Sequence, residues 1–382
     1  MDLRSFKNIE DRRKFLEKKL KINFSAVSIF PQDLKEAQNR NCENMIGVIQ
    51  IPLGVAGPVL LRKGKTKEFY YLPLATTEAA LVASVNRGCK AICLSDGAKV
   101  VVENIGMTRG PVFRTGGIIE GTRVKSWLKR NFNKLAQIAK FSSPHLKLTQ
   151  VNDLMVGDYI FVRFYFDTQE AMGMNMVTLA TQKIVDYIEI NTQVKCLSLA
   201  GNFDIDKKPA WLNILLGRGR RVWAEVNLTN EVVRQVLKTT PQKLHEVAIN
   251  KCYLGSAVSG SMGFNAHFAN IIAAFYLACG QDLAHVVEGS VGITATQLID
   301  RNLKISVYLP NLQVGTVGGG TGLPSQKEAL NLLGLNSNGS GQNTDRLAEI
   351  MGVAVLAGEI SLLASLSEGS LAKSHQKLAR RD

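Results

Sequence analysis

The spacing of apolar and polar positions changes several times along the chain, and each change predicts a different element. Over residues 1–40 the apolar positions recur at roughly helical spacing, which predicts short amphipathic helices. These positions are Ile9, Phe15, Leu16 and Leu20. Between residues 45 and 61 apolar residues mix with proline and glycine, which predicts a strand and a turn. The chain is therefore expected to open with a helical leader followed by β-structure.

A helix is predicted from Thr76 to about Ser95, with a threonine cap at its start and Asp96-Gly97 at its end. Small or apolar residues occupy nearly all of its faces. We therefore expect this helix to be buried on every side.

The middle of the chain alternates between polar and apolar positions over residues 159–166 and then becomes helical over about 172–190. This βα pattern predicts a separate small domain. A loop at 201–209 leads into a long, glycine-punctuated second half that ends in helices over about 344–366. The stretch from Tyr253 to Gln281 contains no Asp, Glu, Lys or Arg, but its polar residues favour a helix buried in the core over a membrane span.

The formal charge of +14 favours polyanionic partners in general. Basic clusters occur at 62–67, 218–221 and 377–381, yet none is interleaved with aromatic residues as in a groove for single-stranded nucleic acid. Nucleic-acid binding is therefore the minor alternative, and we expect no nucleic-acid partner.

Two further features of composition concern the cell compartment. The first 20 residues carry frequent charges and no apolar stretch of signal-peptide length, which predicts a cytoplasmic protein that does not associate with a membrane. The six cysteines form no CxxC pair, which is typical of reduced thiols.

The glycine-rich run from Gly315 to Thr321 has neither the GxGxxG nor the Walker spacing. Its backbone amides can approach a phosphate closely, but a tight turn has the same composition. By itself this run leaves both interpretations open.

Nine ordered segments between residues 43 and 376 carry the most specific signal. They are Glu43-Asn44-Met45-Ile46-Gly47, Ala75-Thr76-Thr77-Glu78 continuing to Asn86-Arg87-Gly88-Cys89-Lys90-Ala91, Met107-Thr108-Arg109-Gly110, Met172-Gly173-Met174-Asn175-Met176, Gly201-Asn202 with Asp206-Lys207-Lys208-Pro209, Phe264-Asn265-Ala266-His267, Gly280-Gln281-Asp282, Gly315 to Thr321, and Lys373-Ser374-His375. Together they resemble the 3-hydroxy-3-methylglutaryl-CoA (HMG-CoA) reductases of class I type.

The resemblance implies an α+β fold in three parts. A helical N-terminal domain covers 1–43, and a large catalytic and CoA-binding domain covers 44–109 and 199–382. A small inserted α/β domain of ferredoxin-like type, at 110–198, binds NADP(H). The resemblance also implies a homodimer or a dimer of dimers, and no metal.

The implied activity is reduction of HMG-CoA to mevalonate and CoA by two successive hydride transfers from NADPH, through mevaldyl-CoA and mevaldehyde. This is a step of the mevalonate pathway of isoprenoid biosynthesis. The alternative is a paralogue of the same fold with a changed substrate or a preference for NADH.

Four residues match the family's catalytic positions. Lys207 matches the lysine that stabilises the oxyanion. His375 matches the histidine that protonates the departing CoA thiolate, and Glu78 matches the proton donor to mevaldehyde. A helix start favours an ionised Glu78, so we expect Asp282, the fourth match, to lie beside it and favour its protonated form.

The binding residues follow from the same motifs. Arg109 and Lys251 match cations that hold the hydroxymethylglutaryl carboxylate, and Asn270 matches an amide of the catalytic network. Asn86 and Arg87 match residues on the CoA side. The other residues implied to bind substrate are Ser84 and Lys208. Those matching the cofactor site are Glu170, Met172, Gly173, Met174, Asn175, Asp206, Gly318, Gly319 and Thr321.

Three positions depart from the family pattern. Glu170 replaces the usual Asp, and Ala200 replaces a serine that contacts substrate in many members. Pro144 stands where NADPH-specific members often carry an Arg for the 2′-phosphate, with His145 beside it as a weak substitute. The choice between NADPH and NADH is therefore left open.

Overall fold

The N-terminal leader is helical, as its apolar spacing predicts. The computed structural model of the protein describes residues 3–335 and 342–369. Its first elements are a 3₁₀ turn (Leu3–Ser5), α1 (Ile9–Leu20), a second 3₁₀ turn (Gln32–Glu36) and α2 (Ala37–Arg40). Asn8 caps α1 by accepting a hydrogen bond from the amide of Asp11 at 2.8 Å. A small apolar cluster of Ile9, Ala37 and Met45 holds the leader together.

The strands form a ten-stranded sheet. They are β1 (Leu53–Lys63), β2 (Thr66–Ala75), β3 (Ala98–Arg109), β4 (Val112–Arg114), β5 (Lys147–Val156), β6 (Tyr159–Asp167), β7 (Lys195–Ser198), β8 (Gly219–Leu228), β9 (Ile293–Ile299) and β10 (Asn302–Leu312). Along the sheet the order is β7-β4-β6-β3-β8-β10-β9, while β5 pairs with β6, and β1 joins β2 to β3.

Strand β3 belongs to both halves of this sheet. It pairs with β8 from Lys99 to Gly106 and then with β6 from Met107 to Arg109. The register shifts just before Gly106, whose φ of +89° is a conformation that favours glycine.

The small part has the ferredoxin-like arrangement that the family resemblance implies. Its helices are α4 (Ile118–Arg130), α5 (Phe132–Ser142) and α6 (Met174–Thr192). They alternate with the antiparallel strands β4 to β7, whose spatial order is β7-β4-β6-β5. These elements enclose an apolar cluster distinct from that of the large part. The exact domain boundaries stay a prediction.

The core of the large part is organised around one long helix. The helices of this part are α3 (Leu81–Leu94), α7 (Trp211–Leu216), α8 (Asn230–Gln235), α9 (Pro241–Ala248), α10 (Ser256–Ser259), α11 (Phe268–Ala278), α12 (Val286–Gly289), α13 (Pro324–Leu332) and α14 (Asn343–Glu368). Helix α14 packs against β3, β8 and β10 and against α3. By length and composition α14 could cross a membrane, but 83% of its most apolar window is buried within the protein.

Two predictions about helices are wrong. The helix predicted from Thr76 begins only at Leu81, because Ala80 adopts a left-handed conformation with φ +73°. This helix is also exposed on one side, at Ala83 and Lys90, rather than buried all round. The stretch from 253 to 281 is likewise not a single helix. It contains the end of a π-helix (Ile249–Gly255), then α10, a loop and α11.

Candidate active site

Segments that are distant in sequence line one cleft of about 670 Å³. Lys207 and Asp282 lie in its wall. So do seven of the predicted cofactor residues, namely Met172, Gly173, Met174, Asn175, Gly318, Gly319 and Thr321. The structure therefore brings the predicted dinucleotide segment, the glycine-rich run and two predicted catalytic residues together.

The backbone of this cleft is suited to a dinucleotide. Helix α6 begins at Met174, its N-cap Gly173 has φ +84°, and no side chain caps it. Gly318 and Gly319 also have positive φ, and a Cβ at either would meet no atom within 4 Å. A helix N-terminus and an open glycine turn both let backbone amides approach a pyrophosphate. The residues present thus fit the cofactor that the family resemblance implies.

Lys207 and Asp282 form an ion pair with 3.0 Å between Nζ and Oδ2. Burial alone would raise the pKa of Asp282, but the hydrogen bonds from Lys207 and from the Ala284 amide outweigh burial and hold this pKa below its usual value. Asp282 is therefore ionised near neutrality and holds the Lys207 ammonium in the cleft.

A buried arginine lies beneath this pair. Arg218 is 0% exposed, and its guanidinium donates to Glu288 Oε1 at 2.9 Å, Asp206 Oδ1 at 3.0 Å and Thr108 Oγ1 at 2.9 Å. Arg220, in the same basic run of residues 218–221, is buried as well. Asp206, predicted to bind cofactor, uses its carboxylate to hold Arg218.

His285 is buried among the same acids. Its Nδ1 lies 3.1 Å from Glu288 Oε1, and its Nε2 lies 3.6 Å from Asp282 Oδ2 and 3.9 Å from Asp206 Oδ1. Asp206, His285 and Glu288 are close enough together to resemble metal ligands. The Arg218 guanidinium already bridges the carboxylates of Asp206 and Glu288, so a protein side chain supplies the positive charge there. Sequence reasoning missed both His285 and Glu288.

Glu78 lies in the loop between β2 and α3. The side chain of Asn270 on α11 donates to Glu78 Oε1 at 3.3 Å, so these two predicted site residues do meet. Glu78 is exposed in the single chain and lies three positions before α3 begins at Leu81. Its role as proton donor stays a prediction, as does its pairing with Asp282.

The remaining predicted substrate cations lie in different surroundings. Arg109, at the end of β3, is 3.5 Å from Asp204 and 3.8 Å from Asp206. Burial raises the pKa of Asp204, although the positive charges of Arg218 and Arg109 act to lower it. Lys208 is exposed beside the cleft. Lys251 lines a second cavity of about 930 Å³, which Pro209 also lines.

The predicted CoA residues on α3 contact the protein itself. The amide of Gly57 donates to Asn86 Oδ1 at 2.9 Å, and the hydroxyls of Ser84 and Ser361 are 3.0 Å apart. Arg87 donates to the carbonyl oxygen of Ser361 at 2.6 Å, and burial lowers its pKa. Their contact with CoA stays a prediction.

Glu170 does not line the cleft. Its carboxylate accepts hydrogen bonds from the Thr344 amide at 2.8 Å, the Asn343 amide at 3.2 Å and the Thr316 hydroxyl at 2.9 Å. It therefore caps α14 and fastens the glycine-rich segment to it. Its predicted contact with the cofactor has no support in these bonds. His375, the last predicted catalytic residue, lies outside the described residues.

Residues 8–380 match the sequence profile of the family described as Hydroxymethylglutaryl-coenzyme A reductase. The chain belongs to this family. Proteins named 3-hydroxy-3-methylglutaryl-coenzyme A reductase from Methanocaldococcus jannaschii and Methanothermobacter thermautotrophicus are 48% and 45% identical to this reductase-family chain, over 97% of it and 92% of each relative. A Dictyostelium discoideum relative is 41% identical, over 97% of this chain and 68% of its own length. Membership of the reductase family makes the chain an oxidoreductase.

Solved structures confirm the reductase fold. A class II 3-hydroxy-3-methylglutaryl-CoA reductase from Streptococcus pneumoniae, bound to NADPH in open conformations, aligns with a TM-score of 0.71. The two chains are 20% identical, and the match covers 95% of this chain and 98% of the other. At this identity the match establishes fold alone, and the class I type stays a prediction.

Proposed function

We propose that the protein reduces HMG-CoA to mevalonate and free CoA, consuming two NADPH in two successive reductions. The observation that carries this proposal is the cleft in which the Lys207–Asp282 ion pair lies beside the start of α6 and the Gly318-Gly319 turn. An ammonium fixed next to a cradle for a dinucleotide is the arrangement that carbonyl reduction requires.

When bound, the nicotinamide cofactor supplies the hydride. The α6 amides and the Gly318-Gly319 turn would hold its pyrophosphate. As each carbonyl is reduced, negative charge develops on its oxygen, and the ammonium of Lys207 stabilises that charge. Asp282 keeps the ammonium oriented while leaving its other protons free to reach the substrate oxygen.

Two protons have proposed donors. After the first reduction the thiohemiacetal collapses to mevaldehyde and releases CoA as a thiolate, which His375 protonates. This role rests on the match of the Lys-Ser-His motif. In the second reduction the aldehyde oxygen of mevaldehyde becomes the alkoxide of mevalonate, which Glu78 protonates; the hydrogen bond from Asn270 orients the Glu78 carboxyl group.

The substrate would extend between the two cavities. Lys251 and Pro209 line the second cavity, and Pro209 follows Lys207 by two residues. A carboxylate bound by Lys251 and Arg109 would therefore place the thioester near Lys207. Ser84, Asn86 and Arg87 are proposed to serve the CoA end, with Lys208 beside the catalytic lysine.

The proposed assembly is a homodimer of class I type, or a dimer of such dimers, in the cytoplasm and without membrane association. In the single chain Glu78 is exposed, and the Lys207 and Asp282 side chains are 43% and 35% exposed. A second subunit covering this region would exclude water from the site, which strengthens its electrostatic interactions.

The test is a steady-state assay with HMG-CoA and either nucleotide. We expect CoA release with about two NADPH oxidised per CoA, the stoichiometry of two hydride transfers. His375→Gln should impair reduction of HMG-CoA far more than reduction of added mevaldehyde. Absence of CoA release with both nucleotides would overturn the proposal.

A preference for NADH is the second candidate, and it has a specific basis. Pro144 cannot bind a 2′-phosphate, and the neighbouring His145 has its Nδ1 3.2 Å from Gln169 Oε1. The ratio of kcat/KM for NADPH and NADH decides between the two.

A further inference from the structure

The backbone of Lys207 is fixed by a carboxylate from a distant element. Its amide donates a hydrogen bond to Glu288 Oε1, although 81 positions separate the two residues. Lys207 has φ +57°, a left-handed conformation that costs free energy for a residue with a side chain. This hydrogen bond therefore supports a conformation that the chain would otherwise seldom adopt.

Glu288 is itself held rigidly. It is 0% exposed on α12 and accepts hydrogen bonds from Arg218 at 2.9 Å, Asn213 at 3.2 Å and Gln313 at 3.1 Å. Asn213 on α7 and Arg218 just before β8 lie five positions apart, and Gln313 follows the end of β10. A buried charge with this many partners has one stable orientation. The Glu288 carboxylate therefore accepts the hydrogen bond from the Lys207 amide in a fixed position.

A second connection leads from Glu288 to Asp282. The imidazole of His285 lies between them, with Nδ1 3.1 Å from Glu288 and Nε2 3.6 Å from Asp282. Glu288 therefore contacts one member of the catalytic ion pair through a backbone amide and reaches the other through a single ring. Glu288 does not line the cleft, and its side chain is 0% exposed.

We propose that Glu288 is the positioning residue of the Lys207–Asp282 pair. Its carboxylate fixes the Lys207 backbone through a hydrogen bond, and through the His285 ring it lies near Asp282 Oδ2, the same oxygen that pairs with the Lys207 ammonium. This inference rests on the proposed function in one respect, namely that the Lys207 ammonium acts on the substrate oxygen.

The variant that tests the proposal is Glu288→Asp. It keeps the negative charge that buried Arg218 needs, but it shortens the side chain by one methylene and withdraws it from the Lys207 amide. A misplacement of this size costs about 100-fold in turnover. We expect kcat to fall by that factor, while the dissociation constant of free CoA stays unchanged.

The matched control is Glu349→Asp. Glu349 is also a buried glutamate, but its partners are Lys63 and Arg346, neither of which belongs to the site. The control should lose stability and keep its turnover. If both variants lose turnover equally, the effect of Glu288 is one of general stability and the proposal fails.

A second readout does not depend on activity. Amide hydrogen exchange is followed by NMR on the full chain labelled with ¹⁵N-lysine, and Lys207→Arg assigns the Lys207 signal. The Lys207 amide should be protected in the wild type and should exchange freely in Glu288→Asp. An unprotected amide in the wild type overturns the proposal even if the variant does not fold. If the amide is protected as expected but the wild type does not reduce HMG-CoA, the proposed function fails, while the role of Glu288 in fixing the Lys207 backbone is still supported.

Discussion

Replacing Glu170 with aspartate should separate its structural role from a cofactor role. The carboxylate of Glu170 accepts hydrogen bonds at 2.8 and 3.2 Å from the first amides of α14 and at 2.9 Å from Thr316. Aspartate is shorter by one carbon–carbon bond, about 1.5 Å. That withdrawal is enough to break all three bonds, because donor–acceptor distances beyond about 3.5 Å are not hydrogen bonds.

The loss can be estimated from its two parts. Removing a side-chain cap from a helix costs about 1 kcal/mol. Losing the hydrogen bond to the Thr316 hydroxyl costs about 1 kcal/mol more. The free energy of unfolding should therefore fall by about 2 kcal/mol, which for a chain of this length lowers Tm by about 2–3 °C.

Urea unfolding and thermal melting of Glu170→Asp measure this loss. Glu328→Asp is the matched control, because Glu328 is an exposed glutamate on α13. The KM for the nucleotide should also rise, since Thr316 adjoins the turn at Gly318. A variant with unchanged stability but weaker nucleotide binding would refute the structural account and favour direct contact between Glu170 and the cofactor.

Three further outcomes are expected. Lys207→Met should lower turnover by at least about 100-fold without changing the circular dichroism spectrum; retained turnover would remove its oxyanion role. Gly88→Ala places a Cβ 1.9 Å from the Ala357 carbonyl oxygen and should cost about 2 kcal/mol in urea unfolding, whereas Gly322→Ala, where a Cβ meets nothing within 4 Å, should cost far less. Because the pKa of Asp282 is lowered in the folded protein, its ion pair with Lys207 stabilises the fold above about pH 4 and loses this effect as the pH falls further. For a partly exposed pair the free energy of unfolding should fall by about 0.5 kcal/mol. Asp282→Asn should lack this part of the acid destabilisation. The difference in urea midpoint between this variant and the wild type should therefore shrink from pH 6 to pH 3, and an equal difference at both pH values would contradict the prediction.

Period-two alternation located β6 to within a residue, because this strand is central in the small sheet and packs against an apolar core. The start of α6 was found to within two residues, since the glycine in Met-Gly-Met marks the end of the preceding turn. Both patterns depend on residues that are adjacent in sequence, so they predict these elements without knowledge of the tertiary structure.

The burial of Arg218 could not be predicted in the same way. Its acidic partners Asp206 and Glu288 lie 12 and 70 positions away, so nothing adjacent in sequence distinguishes it from a surface arginine. The late start of α3 is similar, because the alanine that breaks the helix, Ala80, is ordinarily a helix former. The order of the motifs led to the predicted catalytic residues, but it did not reveal the buried network beneath Lys207 and Asp282.

The strand that belongs to both halves of the sheet also has a mechanical consequence. Because β3 runs without interruption from its pairing with β8 to its pairing with β6, the small part cannot rotate against the large part unless this strand twists. Gly106 lies where the partner changes, and Arg109 lies three residues beyond it. Any such rotation would carry Arg109 along and alter its separation from Asp204. The contact that Arg109 is proposed to make with the substrate carboxylate would then change with the orientation of the small part.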